Sequence, residues 1–263
     1  MTKPSAAQLP GIENISVGEQ IRAAYLLAWV AAFSDAIGFI VLQQLGASYM
    51  SGNSMSAGAA LGRADWQSAL NHGLPIFSFV AGILVGVSVM SAVKQHGARG
   101  SFRIVFGLEA VCILAFFFIG SRSLKDGAIR PTDTGTFYLC LILLTLAMGL
   151  QTATLRKIMG QSVRTTFITG VLSDTADAFL SYLSWLRAKE GGFRQLTKES
   201  LRQPSARKFF VLSGIWSCYV FGAVCGGFAE RRLSLTALFF PVAALVALII
   251  VDFARPFESS NSG

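Results

Sequence analysis

Along this chain, apolar runs of about 20 residues alternate with short charged or Gly- and Pro-rich segments, the length a helix needs to cross a roughly 30 Å hydrocarbon layer. Six runs meet that length, at 22–43, 74–93, 102–120, 136–155, 208–229 and 233–252. Two further runs, 47–62 and 165–186, break the pattern. The first is short and built from Gly, Ser, Ala and Met. The second is longer but carries Asp174 and Asp177, whose spacing puts them on one helix face.

The segments between the runs divide the chain. Residues 1–21 form a polar N-terminal segment without a small-residue cleavage pattern after a short apolar core, so the first span is expected to direct insertion itself. Residues 22–120 and 136–252 read as two membrane units joined by the linker 121–135, where Gly, Pro, Asp and Ser cluster. The stretch 187–208 is a basic hydrophilic loop, and 253–263 reads as a disordered polar tail.

The two units share an order. Each has a span with a polar residue late in it (Asp35, Gln151), a loop, a Ser/Thr-Gly step (Ser51-Gly52, Thr169-Gly170), a short polar-faced segment and two more spans. With both short segments turning back, each unit crosses three times and the second copy is inverted, a plan used by secondary transporters. Re-entry with a cytoplasmic N-terminus also leaves more of the 22 Lys and Arg on the cytoplasmic side than eight full spans would. The predicted fold is therefore an all-α polytopic bundle of about six spans plus two short re-entrant or broken helices, with a 3+3 inverted internal repeat.

Composition changes the picture little. Hydrophobic residues make up 53% and charged ones 14%, well under the roughly one quarter usual in soluble domains. The net charge of +8 sits between apolar runs, where it sets orientation; nucleic acid is not an expected partner. Cys112, Cys140, Cys218 and Cys225 lie in apolar runs without metal-site spacing, and His72 and His96 read as interfacial loop residues. There is no HExxH, no GxSxG, no Walker motif and no nucleophile beside a base. Neither an enzyme nor a cofactor is expected, and any active transport would be gradient-driven.

The candidate chemistry is intramembrane and polar. A carboxylate at Asp35 should face protein or water, either to meet a cation, a proton or an amine, or to hold neighbouring backbone. Ser51, Gly52 and Asn53 would open a short helix whose unpaired N–H groups a side chain or an anionic group can satisfy. Thr169 and Gly170, with Thr165 and Thr166, would do the same in the second unit. Gln151 is the best placed amide; Asp174 and Asp177 would line a vestibule on a re-entrant element or be simply solvated on an interfacial helix, the second reading being preferred for Asp177. Glu109 either pairs locally with Arg103 or faces the bundle. Gly82-Gly86 and Gly222-Gly226 read as close-packing steps.

The stretches "FSDAIGF", "YMSGN", "GLQTA" and "TTFITG" together resemble the YoaK-type family of small bacterial inner-membrane proteins, a domain of unknown function. The likeness runs from about residue 22 to 252, with Ser51 where the family's first motif usually has Thr. It implies a bacterial plasma-membrane protein of about six spans and no established substrate. The expected partners are the lipid bilayer, a small solute or ion, and a second copy of the chain. Both termini are expected in the cytoplasm.

Overall fold

The computed structural model describes residues 17–96, 100–130, 134–154, 157–158, 161–162, 168–188 and 203–254. Its helices are α1 (Val17–Val41), α2 (Met50–Gly62), α3 (Trp66–Gln95), α4 (Ser101–Ser123), α5 (Thr134–Ala153), α6 (Ile168–Ala188), α7 (Pro204–Leu233) and α8 (Phe239–Ala254). A 3₁₀ turn (Ser234–Leu238) precedes α8, and a two-residue antiparallel pair joins Lys157–Ile158 (β1) to Gln161–Ser162 (β2).

Helix ends explain where the apolar runs mislead. The run 22–43 ends at Val41 because Gln43 and Gln44 adopt positive φ, 55° and 68°, while Leu42 N–H donates to Gly38 O and Gln44 N–H to Phe39 O. These bonds satisfy end carbonyls that no further helical residue could reach. The run 74–93 extends back to Trp66, through a buried Pro75. His72 is thus a residue of α3 rather than of a loop, while His96 follows the helix end as expected. The run 233–252 becomes helical only at Phe239, because Ser234 takes φ 52° and the 3₁₀ turn reverses the chain, with Thr236 Oγ1 donating to Leu233 O. Pro204 opens α7 at the position where its missing N–H costs nothing.

Long apolar stretches occur at Gly18–Val41, Trp66–Val93, Ser101–Ser123, Gly135–Ala153 and Pro204–Ala254, each long enough to cross a membrane; the last contains α7 and α8. They are not equivalent. In α1 and α5, 61% of the apolar stretch is buried within the protein, against 17% in α3. So α1 and α5 are central, and α3 presents Phe77, Val80 and Leu84 outward.

Helix directions follow from paired contacts. On α7, Gly222 lies on Trp29 and Gly226 on Phe33, so α1 and α7 run the same way. On α3, Gly82 lies on Leu146 and Gly149, and Gly86 on Leu150 and Ala153, so α3 and α5 also run the same way. A Cβ at any of these four glycines would strike the partner helix, which is why small residues are required there. Antiparallel to α5 and α8 runs α4, with Gly120 beside Cys140 and Leu235, and Arg103 over the Phe253 ring at 4.3 Å. Ile129 N–H donates to Val41 O at 2.9 Å, so the end of α4 and the end of α1 lie on one side of the bundle.

Candidate functional site

Helices α2 and α6 both begin partway along the bundle. Met50 and Ser51, the first residues of α2, lie with Phe79 and Ile83 near the midpoint of α3. Ile168 and Thr169, the first residues of α6, lie with Tyr219 near the midpoint of α7. All of these, with Ser48, Tyr49 and Thr152, line one cavity of about 180 Å³. From its start, α2 runs back along α3 after the tight turn at 63–65. Similarly, α6 runs back along α7, with Val171 beside Val211 and Leu212, and Asp174 3.8 Å from Lys208 Nζ.

Asp35 holds the loop that lets α2 start at this depth. Its carboxylate accepts from Ala47 N–H at 2.7 Å, Ser48 N–H at 3.2 Å and Ser48 Oγ–H at 2.6 Å. The Tyr219 hydroxyl bonds to it from α7. A carboxylate accepting several bonds is far cheaper at membrane depth than a free one, which offsets part of its burial. Asp35 does not line the cavity; its partners Ser48 and Tyr219 do.

Asn53 and Gly52 complete the same construction. The Asn53 side chain is 2% exposed and donates through Nδ2 to Gly46 O at 2.9 Å, pinning the far end of the loop. Gly52 is buried under the Tyr49 ring, which a Cβ would penetrate. No side chain caps the start of α2. Its first-turn residues Met50 and Ser51 therefore face the cavity from a helix end with unpaired N–H groups and partial positive charge.

The structure brings Ser51 and Thr169 together at the cavity and leaves the other expected residues behind it or elsewhere. Gly170 is half-buried in the first turn of α6. Gln151, 1% exposed, donates through Nε2 to Leu27 O at 2.5 Å and so ties α5 to α1. Asp174 faces Lys208 at the protein surface, where such a pair contributes little. Thr165 and Thr166 lie outside the described residues. Reasoning from sequence missed Ser48, Thr152 and Tyr219. Thr152 adjoins Gln151 in the "GLQTA" stretch and could have been found there; Tyr219 had no signal, since nothing in its run marks which face meets Asp35.

Chemically, the described lining sets six hydroxyl side chains (Ser48, Tyr49, Ser51, Thr152, Thr169, Tyr219) in a mainly apolar wall that includes Met50, Phe79, Ile83 and Ile168, and among the described residues it contains no charged side chain. Such a space suits a small polar solute or several waters, being below the roughly 300 Å³ at which pockets for drug-sized ligands begin. Among the described residues, no group of His, Cys, Asp and Glu could hold a metal ion.

Comparison with known proteins supplies a lineage. The family profile described as "Protein of unknown function (DUF1275)" matches residues 23–251. The UPF0700 transmembrane protein YoaK of Bacillus subtilis (strain 168) is 21% identical over 176 residues, covering 67% of this chain and 74% of that protein. No solved structure matches. With several apolar helices and a transmembrane relative, the chain is a multi-pass membrane protein.

Proposed function

We propose a function for a chain that belongs to the DUF1275 family, whose members are described as of unknown function: it is a small gradient-driven transporter or channel. Its pathway crosses the cavity between the starts of α2 and α6. The observation that carries this reading is that two helices, one from each half (α2 of 13 residues and α6 of 21), begin near the midpoints of α3 and α7 and share one cavity carrying hydroxyl side chains. Interrupted helices meeting at mid-membrane are a recurrent way to build a solute site, since irregular backbone is tolerated there only where it lines a cavity.

In this reading the halves form a 3+3 inverted repeat, with α2 and α6 re-entrant. Support comes from packing that is exchanged between the halves. The first helix of each half, α1 or α5, lies against the third helix of the other, α7 or α3. One shift in numbering relates Trp29 and Phe33 to Leu146 and Leu150, and another relates Gly82 and Gly86 to Gly222 and Gly226. The first shift pairs Asp35 with Thr152 and Ser34 with Gln151, a one-residue adjustment of the match read from sequence. Each member of a pair runs opposite to its counterpart, as inversion requires.

Placed in a bacterial inner membrane, both termini and the basic 187–208 loop lie in the cytoplasm, in line with the bias of Lys and Arg toward that side. The partners are lipid and a small solute or ion. The protein performs no catalysis and takes no cofactor. The hydrogen bonds that occupy Asp35 and Asn53 favour a second reading, in which the polar residues only build the fold and the protein is a membrane regulator or assembly partner.

Cysteine substitution separates the two. In a background lacking the four native cysteines, Ser51→Cys and Thr169→Cys should react with a small, membrane-impermeant thiol reagent, and prior reaction should slow a second probe at the other position. Two positions that stay inert in the folded protein would favour the structural reading.

A further inference from the structure

Away from the cavity, α4 buries a second carboxyl whose surroundings differ in every respect from those of Asp35. Glu109 is 0% exposed, and among the described residues neither Oε1 nor Oε2 has a hydrogen-bond partner. It stands in the middle of the apolar stretch Ser101–Ser123, flanked on its own helix by the buried Val105, Phe106, Ala110 and Ile113. Of the two alternatives open from sequence, local pairing with Arg103 or facing the bundle, the second describes it: Glu109 is buried, and the Arg103 guanidinium lies over the Phe253 ring. No α4 residue lines the cavity.

Ionised and unpaired, a carboxylate at such a site is among the most costly groups a membrane protein can carry. A proton removes that cost without any change of packing. We propose that Glu109 is a proton-binding site, distinct from the cavity and occupied by a proton in this conformation. Because Glu109 is fully buried here, exchange requires α4 to part from α5 or α8, so the site loads and unloads only when the bundle changes shape. On α4 itself Cys112 lies three residues after Glu109 and Arg103 six residues before it. The ionisable groups on the helices packed against α4 are Tyr138 and Cys140 of α5, His72 and Lys94 of α3, and Asp252 of α8. Of those whose side chains are described (Tyr138, Cys140, His72 and Asp252), none gives Glu109 a hydrogen bond.

Infrared spectroscopy and dicyclohexylcarbodiimide labelling test this on the full chain in lipid vesicles at neutral pH. The carbonyl band of a protonated carboxylic acid should be present, vanish in Glu109→Gln and persist in Glu109→Asp and Asp35→Asn. The carbodiimide takes the acid proton on one nitrogen while the carboxyl oxygen adds to its central carbon. The acyl group then shifts to nitrogen, so Glu109 gains the mass of one whole reagent and nothing leaves. Labelling should drop at least tenfold when the pH is raised enough to ionise Glu109. Absence of both the band difference and the adduct would overturn the proposal. The adduct is read on the wild-type chain, so poor folding of Glu109→Gln does not remove the test. Neither readout needs transport, so this inference and the transport reading fail separately.

Discussion

The starts of α2 and α6 occupy matching places and are built from different chemistry. The loop before α2 is fixed by three bonds to Asp35 and one from Asn53, with Gly52 making room for the Tyr49 ring. At the start of α6, Thr169 is exposed, Gly170 half-buried and Val171 packed against α7 in an apolar cluster. A helix can thus be started at membrane depth either by a polar lock or by apolar docking. In the first case the side chains that make the break are unavailable to a solute; in the second the hydroxyl has no partner among the described residues.

The largest effect expected from breaking this contrast is at the lock. Asp35→Leu leaves two backbone donors and two hydroxyls without their acceptor, a loss of about 2–4 kcal/mol that should appear as low abundance and a lower melting temperature in detergent. Asp35→Asn keeps an acceptor and should lose clearly less. The glycine contacts come next and should be alike in the two halves. Gly82→Ala and Gly222→Ala each force a Cβ into the partner backbone and should cost about 1–3 kcal/mol, by thermal melting. Gly58→Ala, with open space around it, should be neutral or stabilising by up to about 1 kcal/mol. A difference between the two tight glycines larger than their common loss would weaken the exchanged-packing account.

Smaller again is the asymmetry at the helix starts. Asn53→Ala orphans Gly46 O and should lose about 1–2 kcal/mol. Thr169→Val should stay within about 0.5 kcal/mol in the same assay, because its hydroxyl has no partner among the described residues. The smallest effect lies outside the bundle, in the turn joining α2 to α3. The Ser68 side chain and backbone N–H bond to Asp65 and hold its carboxyl below the ordinary 3.8. A lowered value in the fold means the bonds stabilise above the ordinary value and are lost as pH falls through the lowered one. Asp65→Asn should flatten that acid-side decline in melting temperature, with a slightly lower melting temperature at neutral pH and none of the loss in acid.

Much of this architecture is legible in the sequence because membrane depth is enforced by length and polarity. The six long runs and the two short ones correspond to helices, and Asp35 and the Ser-Gly step mark where the first half is interrupted. What sequence could not supply was which polar group faces what. Asp35 and Tyr219 are far apart in the chain and meet only because α7 lies along α1. Helix ends were off wherever backbone conformation, as at Gln43, Gln44 and Ser234, stopped a helix that hydropathy alone would continue. Glu109 was visible as a charge in an apolar run, but its lack of a partner is a property of the packed bundle.

The inverted arrangement around a shared centre is the claim on which the functional reading stands, and topology tests it directly. Reporters placed in the 63–65 turn and in the 187–208 loop, in a background without native cysteines, should report opposite sides of the membrane, the turn outside and the loop inside. Both on the cytoplasmic side would mean that α2 and α6 cross fully and the halves are parallel, which contradicts the account.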